Sequence, residues 1–371
     1  MWSVFKTDIT TGFRIDNYTY GIPLSIRHNN LYLSSSQDKN LVDFYFTDDN
    51  RGKQKWIIEE SEDNDSTVHI GATQPNKYGE KYLGAPNSDN TVFMYTSKTK
   101  HTKWKITKDE KDNTYNIIYV GEKFNPRSHT IVIARYNENL EWLIPYNDSA
   151  IIFNKGEHNM PPFKKVKRLP NIGREGHTYL RYIIDNYDNL PDKVTFLQGD
   201  SFSHNSTILF GLDNYEKTLN FQPLGIRWVN SPEIPPADLI NKYQTITNYG
   251  LNYLVIKVGL NLEYLDNYYF VDKDLGYVQK QYLGYYKLNG ETAIITHFLK
   301  RVGYPGFFPD TLEYSWSALF SASKSNIQNN SHLLYKNICN ELTKDFQDGG
   351  PNGYVLEKLW LLLLSDKKFL S

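Results

Sequence analysis

The sequence predicts two domains of different class: an all-β domain over residues 1–126, then an α/β domain over residues 127–371 with an irregular insertion at about 205–300. Three observations predict it. A chain of 371 residues is long for one core and comfortable for two. Tryptophan-marked strands recur through the first third. From Thr130 onward, continuous apolar runs alternate with helical spacing, the pattern of a mostly parallel sheet.

In the first third, Trp2-Ser-Val-Phe is followed by Gly12-Phe-Arg-Ile, Trp56-Ile-Ile-Glu by Thr67-Val-His-Ile, and Trp104-Lys-Ile-Thr by Thr114-Tyr-Asn-Ile. Between the tryptophans lie Leu31-Tyr-Leu-Ser with Val42-Asp-Phe-Tyr, and Tyr82-Leu-Gly-Ala with Val92-Phe-Met-Tyr. Each unit reads as short alternating strands separated by Gly, Asn, Asp and Ser turns. Three such units resemble a β-trefoil of the ricin-lectin or fascin type. The third is cut short near Asn125-Pro126, so the trefoil is incomplete or closed by the N-terminus. Trp2, Trp56 and Trp104 are expected in its internal pseudo-threefold core. Sugar binding by such a module is a fold-level analogy.

In the second part, Ile131–Ala134, Ser149–Asn154 and Val194–Leu197 read as strands buried on both faces. Thr178 to Tyr187 carries Tyr179, Leu180, Ile183, Ile184 and Tyr187 at helical spacing. The insertion contains a proline-rich segment at 231–236, a helix candidate from Ala237 to Tyr243 and a tyrosine-rich region from Leu262 to Leu288. Helices return at Ser325–Leu342 and Gly353–Ser365.

Composition narrows the function. A net charge of -1 gives no electrostatic case for nucleic acid, and the densest basic cluster is Lys164, Lys165, Lys167 and Arg168. The single cysteine, Cys339, excludes internal disulfides and suits a reducing, cytoplasmic setting. Leu359–Leu364 is too short to span a bilayer, so no transmembrane segment is expected. Tyrosine is abundant at 29 residues, but Asn, Lys and Ile are frequent too. That joint bias points to an AT-rich coding genome, so tyrosines alone do not signal a sugar platform.

Several motifs suggest a family. The run Ile131-Val-Ile-Ala-Arg-Tyr-Asn-Glu-Asn-Leu-Glu-Trp142 resembles the opening strand of an uncharacterised glycosyltransferase-like family. So do Gly173-Arg-Glu-Gly-His-Thr-Tyr-Leu180, Asn186–Asp192, Phe196-Leu-Gln-Gly199, Trp316–Ser323 and Gly353-Tyr-Val-Leu-Glu-Lys-Leu-Trp360. The resemblance covers about Thr130 to Ser365. It implies a GT-A-like, Rossmann-related sheet, a nucleotide-sugar donor and a glycan or glycoprotein acceptor.

Sugar transfer requires a gripped nucleotide, a neutralised leaving diphosphate and an activated acceptor hydroxyl. Charged groups at a helix start and at strand carboxyl ends suit that work. Under the resemblance, Arg135, Asn137 and Glu138 hold the nucleoside side of the donor. Gly173 opens a turn that presents Arg174 for phosphate or sugar. Glu175 is placed for sugar hydroxyls, and His177 is either a donor contact or a packing residue. Gln198, Gly199 and Asp200 stand where many GT-A enzymes carry Asp-x-Asp. Asp200 with His204 is therefore the candidate Mn²⁺ or Mg²⁺ pair, although a metal-free mechanism stays open. Asp310, Glu313 and Glu357 are the candidate catalytic carboxylates, and Trp316 the candidate stacking platform on the donor. The alternative is a non-catalytic carbohydrate-binding or structural protein with a degenerate transferase domain. A hydrolase is the third reading, weakened because no carboxylate pair is marked.

Overall fold

The computed structural model of the chain describes residues 13–16, 18–28, 31–35, 42–45, 54–63, 65–88, 91–111, 114–157, 159–225, 243–248, 251–259, 273–288, 291–306, 311–315, 317–346 and 350–364. The chain is of mixed α and β class and divides into two compact units. The first comprises Met1–Pro126 with two later segments, Leu140–Ser149 and Thr207–Asn214. The second comprises Arg127–Asn139, Ala150–Ser206 and Tyr215–Ser371.

The first unit is built from short antiparallel strands: β1 (Phe13–Ile15), β2 (Arg27–His28), β3 (Leu31–Ser35), β4 (Val42–Tyr45), β5 (Trp56–Glu60), β6 (Val68–Ala72), β7 (Tyr82–Gly84), β8 (Phe93–Tyr95), β9 (Lys103–Asp109) and β10 (Thr114–Tyr119). Among the described residues they pair in the order β4-β3-β2-β1-β10-β9-β6-β7-β8, with β5 also on β6. Trp56 and Trp104 are fully buried beside Ile15, Leu33, Ile70 and Ile117. Their indole N–H groups make equivalent bonds: Trp56 donates to the Leu33 carbonyl at 2.9 Å, Trp104 to the Leu83 carbonyl at 2.9 Å. A buried indole needs such a partner, and the repeat in the sequence is thus a repeat of hydrogen bonding. Trp2 lies outside the described residues.

The two later segments of this unit bring in polar groups. Tyr146, buried, donates to Asp213 Oδ1 at 2.7 Å, and the Thr96 backbone N–H and hydroxyl donate to Asp213 Oδ2 at 2.7 and 2.5 Å. Asp213 ends the helix Ile208–Asp213. Burial raises its carboxyl to about 6 against these bonds. Glu80, fully buried, accepts from Asn76 Nδ2 at 2.6 Å while its Oε1 has no partner. Burial, and then the Asp213 charge, push its carboxyl up.

The second unit holds a six-stranded sheet of β11 (His129–Arg135), β12 (Ala150–Asn154), β13 (Val166–Arg168), β14 (Lys193–Gln198), β15 (Phe221–Pro223) and β19 (Phe320–Ser323). Its order is β13-β12-β11-β14-β19-β15. The first four strands are parallel, and β19 pairs antiparallel with both β14 and β15. All seven residues of β11 are buried, as a central parallel strand requires. The strand order reverses between β11 and β14, the place where open α/β sheets leave a crevice at the carboxyl ends. A separate antiparallel sheet joins β16 (Tyr243–Asn248), β17 (Leu251–Gly259) and β18 (Thr311–Ser315).

Helix α1 (Arg174–Asn186) follows β13 and precedes β14. Since those strands are parallel, α1 must run back along the sheet with its N-terminus at the carboxyl edge. The helix Ile208–Asp213 is α2, followed by α3 (Lys273–Tyr286), α4 (Glu291–Val302), α5 (Lys324–Gln328), α6 (His332–Leu342) and α7 (Gly350–Leu364). Helix α7 is apolar nearly all round and correspondingly buried. Among the described residues no helix is long and apolar enough to cross a membrane.

Some sequence expectations change. The single helix over Ser325–Leu342 is two, because Asn329 ends α5 and Ser331 caps α6, accepting from the Leu334 backbone N–H at 3.1 Å. The expected helix Ala237–Tyr243 ends where β16 starts, at Tyr243, and its other residues lie outside the described set. So does the proline-rich segment 231–236. The expected irregular insertion carries regular elements, α2, β15, β16, β17, α3 and most of α4.

Candidate functional site

The carboxyl edge of the parallel strands is interlocked by side chains. Arg135, at the end of β11, is 1% exposed. Its Nε donates to the Glu138 carbonyl at 2.9 Å. Nη1 donates to Asn154 Oδ1 at 2.9 Å and the Glu157 carbonyl at 2.7 Å, and Nη2 to Asn159 Oδ1 at 2.9 Å. The expected donor-binding role of Arg135 is therefore corrected: protein acceptors take its guanidinium, which clamps the loops after β11 and β12 from inside. Asn137 and Glu138 stay nearer the surface. Asn137 Oδ1 accepts from the Glu157 N–H at 2.8 Å, and Glu138 Oε2 from the Tyr136 N–H at 2.6 Å.

Across the strand reversal, Gly199 N–H extends the β14 ladder to the Ala134 carbonyl at 2.9 Å. A Cβ at Gly199 would meet Glu138 Oε2 at 2.5 Å, so a residue without one lets the two loops close on each other. Gln198 is half-buried and Asp200 exposed. Asp200 and His204 flank the turn Ser201–Ser203. One carboxylate and one imidazole fall short of the oxygen-rich shell that Mg²⁺ or Mn²⁺ takes. Among the described residues no group of three or more His, Cys, Asp or Glu is placed to hold a metal ion. The donors present do not fit the expected metal.

At the start of α1, Gly173 is left-handed at φ 60° and Arg174 follows at φ 49°. A left-handed non-glycine residue is strained. Here the strain is met by packing, with the Arg174 guanidinium 3.9 Å from the centroid of the Tyr354 ring. Lys155, just past β12, closes the same corner. Its backbone N–H donates to the Arg135 carbonyl at 2.8 Å, and its Nζ to the Ile172 carbonyl at 2.8 Å and to the Arg174 carbonyl. Burial lowers the Lys155 ammonium to about 8, against support from Glu175.

Helices α1 and α7 run side by side in the same direction. Arg174 meets Tyr354, a Cβ at Gly176 would meet Leu356 Cδ2 at 2.8 Å, and the rings of Tyr179 and Trp360 lie 5.9 Å apart. Both N-termini thus point to the carboxyl edge, where their dipoles add. Three side chains of these helices carry buried polar atoms without a partner: Glu175 Oε1, Tyr179 Oη and Trp360 Nε1. Glu175 is 8% exposed, and Tyr179 and Trp360 are 0% exposed. Burial raises the Glu175 carboxyl; Arg174 lowers it and Glu357 raises it further. Glu357, half-buried on α7, also raises the Tyr179 phenol, after burial and Glu175.

His177 is buried, and its Nδ1 has no partner. Burial, then Lys155 and Arg181, hold its imidazole down at about 4, so it is neutral. Asp310 and Trp316 lie outside the described residues, and Glu313 is placed only as a position on β18. The structure thus brings Arg174 and Glu175 together with Glu357, and Glu138 against Gly199. Sequence reasoning missed Lys155, Tyr179, Tyr354 and Trp360. For Lys155 a signal existed, since it directly follows a parallel strand's carboxyl end.

Residues 131–224 match the model of a family described as a protein of unknown function, DUF3431. That span runs from β11 through α1 and β14 to β15. No curated protein matches the chain.

Proposed function

We propose that the second unit is a GT-A-like glycosyltransferase that takes a nucleotide sugar at the carboxyl edge of its parallel strands and passes the sugar to a glycan or glycoprotein. The observation that carries this reading is the meeting of the α1 and α7 N-termini around Arg174, with Tyr354 under its guanidinium and Lys155 behind it. Paired helix starts and an arginine suit a diphosphate. In this reading Arg174 and Lys155 take the charge that builds on the diphosphate as the bond to the sugar's anomeric carbon breaks. The acceptor oxygen forms the new bond, and its proton passes to Glu357. Gln198, Asn137 and Glu138 flank the donor at the strand reversal, and Asp310 and Glu313 remain acceptor-side candidates. No step is routed through a metal.

In the same reading the first unit is a β-trefoil-like carbohydrate- or partner-binding module. The equivalent Trp56–Leu33 and Trp104–Leu83 bonds support it. A non-catalytic scaffold is the second reading, favoured by the internal engagement of Arg135 and the short metal donor set.

The test is thermal denaturation of the full chain with a panel of nucleoside diphosphates and nucleotide sugars, with and without Mn²⁺. One nucleotide raises the midpoint, and Arg174→Ala abolishes the rise. No response to any nucleotide supports the scaffold. A Mn²⁺-dependent rise lost in Asp200→Ala restores Asp200 and His204 as metal ligands.

A further inference from the structure

Helix α7 is held by hydrogen bonds near its ends and by apolar packing between them. Leu356, Leu359, Trp360 and the leucines from Leu361 to Leu364 are buried. Apolar burial is non-directional, and a run of leucines packs almost as well after a small rotation. Hydrogen bonds to buried side chains are directional and fix that rotation. At the far end Asn326 of α5 donates from Nδ2 to the Leu364 carbonyl at 2.7 Å. At the near end the corresponding residue is Asn352, 1% exposed in the first turn of α7.

Asn352 joins three helices. Its Nδ2 donates to the Glu341 carbonyl at 2.7 Å, in the last turn of α6, where carbonyls lack partners in the helix's own ladder. Its Oδ1 accepts from the Tyr282 hydroxyl of α3 at 2.6 Å. A carbonyl can only accept, so the amide has one orientation here. The base it reaches is braced. Arg301 of α4 meets Glu341 Oε1 and Asp345 Oδ2, each at 2.5 Å, and the Tyr286 hydroxyl of α3 donates to Asp345.

The two residues after Asn352 are those that meet Arg174. A Cβ at Gly353 would lie 3.2 Å from Arg174 Cδ and 3.3 Å from its Cγ, so the bare backbone seats the stem. The Tyr354 ring carries the guanidinium. Successive residues stand about 100° apart around a helix, so a turn of a fraction of that carries Tyr354 off Arg174.

We infer that Asn352 is a positioning residue for Arg174: its bonds to α3 and α6 fix the rotation of α7 and so set Gly353 and Tyr354 against the arginine's stem and guanidinium. Its consequence for binding rests on the reading of Arg174 as the diphosphate ligand, whereas the placement is measurable without ligand.

Arginine side-chain NMR and melting temperatures are recorded on the full chain as wild type, Asn352→Leu, Tyr282→Phe, Tyr354→Leu and Asn326→Leu, and each is titrated with uridine and guanosine diphosphates. In the wild type the Tyr354 ring current shifts the Arg174 Nε–H signal upfield, and Tyr354→Leu gives the unshifted value. Asn352→Leu moves the signal to that value, Tyr282→Phe moves it part of the way, and diphosphate affinity falls about tenfold in Asn352→Leu. Asn326→Leu breaks the same kind of bond at the far end of α7; it lowers the melting temperature and leaves the Arg174 signal in place. If Asn352→Leu fails to fold, Tyr282→Phe decides, because it keeps the ring. A signal unchanged in both variants overturns the inference, as does one moved equally by Asn326→Leu or one unshifted in the wild type. A displaced signal with no diphosphate binding, or with binding undiminished, upholds the placement and defeats the reading of Arg174 as the diphosphate ligand. Diphosphate binding lost in Arg174→Ala but untouched, like the signal, in Asn352→Leu does the reverse.

Discussion

Asp213 links stability to pH in a calculable way. Its carboxyl rises from 3.8 to about 6, chiefly through burial, while bonds from Thr96 and Tyr146 hold it back. The folded state therefore binds the proton more tightly than the unfolded chain. Stability from this group is fully present below the unfolded value of 3.8 and is lost as pH rises through about 6. A shift of about two units corresponds to roughly 3 kcal/mol. Glu80 shifts in the same direction and adds to the slope. The perturbation is Asp213→Asn, assayed by urea titration with far-UV circular dichroism at pH 4, 5, 6 and 7. Asparagine keeps one acceptor for Tyr146 but cannot accept from both Thr96 donors, at about 1–3 kcal/mol. At pH 7 that loss and the relief of the buried charge are comparable, so the net change is about 1 kcal/mol or less. The diagnostic result is the slope: the wild type loses about 2 kcal/mol more between pH 4 and 6 than the variant. Parallel pH profiles refute the reasoning.

Further outcomes follow from the same geometry. Trp56→Phe and Trp104→Phe each leave one buried carbonyl, of Leu33 or Leu83, without its indole donor; each costs about 1–3 kcal/mol in urea titration, and the two costs match within about 1 kcal/mol. Arg135→Met strips the loops after β11 and β12 of their internal clamp and costs about 3 kcal/mol or more, with new proteolytic cleavage near 136–159. Retained stability and protease resistance would show that the clamp is dispensable. His177 is depressed to about 4 by burial, so its imidazole resonances stay fixed between pH 5.5 and 7.5. Its contribution to stability is present above about pH 6.5 and is lost as pH falls through about 4. An NMR midpoint near 6.5 would place it in solvent.

Legibility in the sequence followed the range of the interactions. The strands β11 and β14 were readable because a parallel strand buried on both faces must be apolar throughout, and Trp56 and Trp104 because the recurring tryptophan carries the same hydrogen bond in both places. The start of α1 was readable from Gly173, whose left-handed φ breaks the chain before Arg174. What failed depended on distant partners. Asp213 meets Thr96 across 117 residues, and no local pattern marks that meeting. Arg135 looked like a ligand group because a strand-end arginine reads the same whether it faces a crevice or its own loops. The unpartnered hydroxyl of Tyr179 resembles any aromatic position on an apolar face until α7 is laid beside α1.

The most direct measurement is a crystal structure of the full chain soaked with nucleotide sugars. Density is expected with the diphosphate against Arg174 and the helix starts. Ligand density elsewhere on the chain, with Arg174 and Tyr354 untouched, would contradict the assignment of this edge as the donor site.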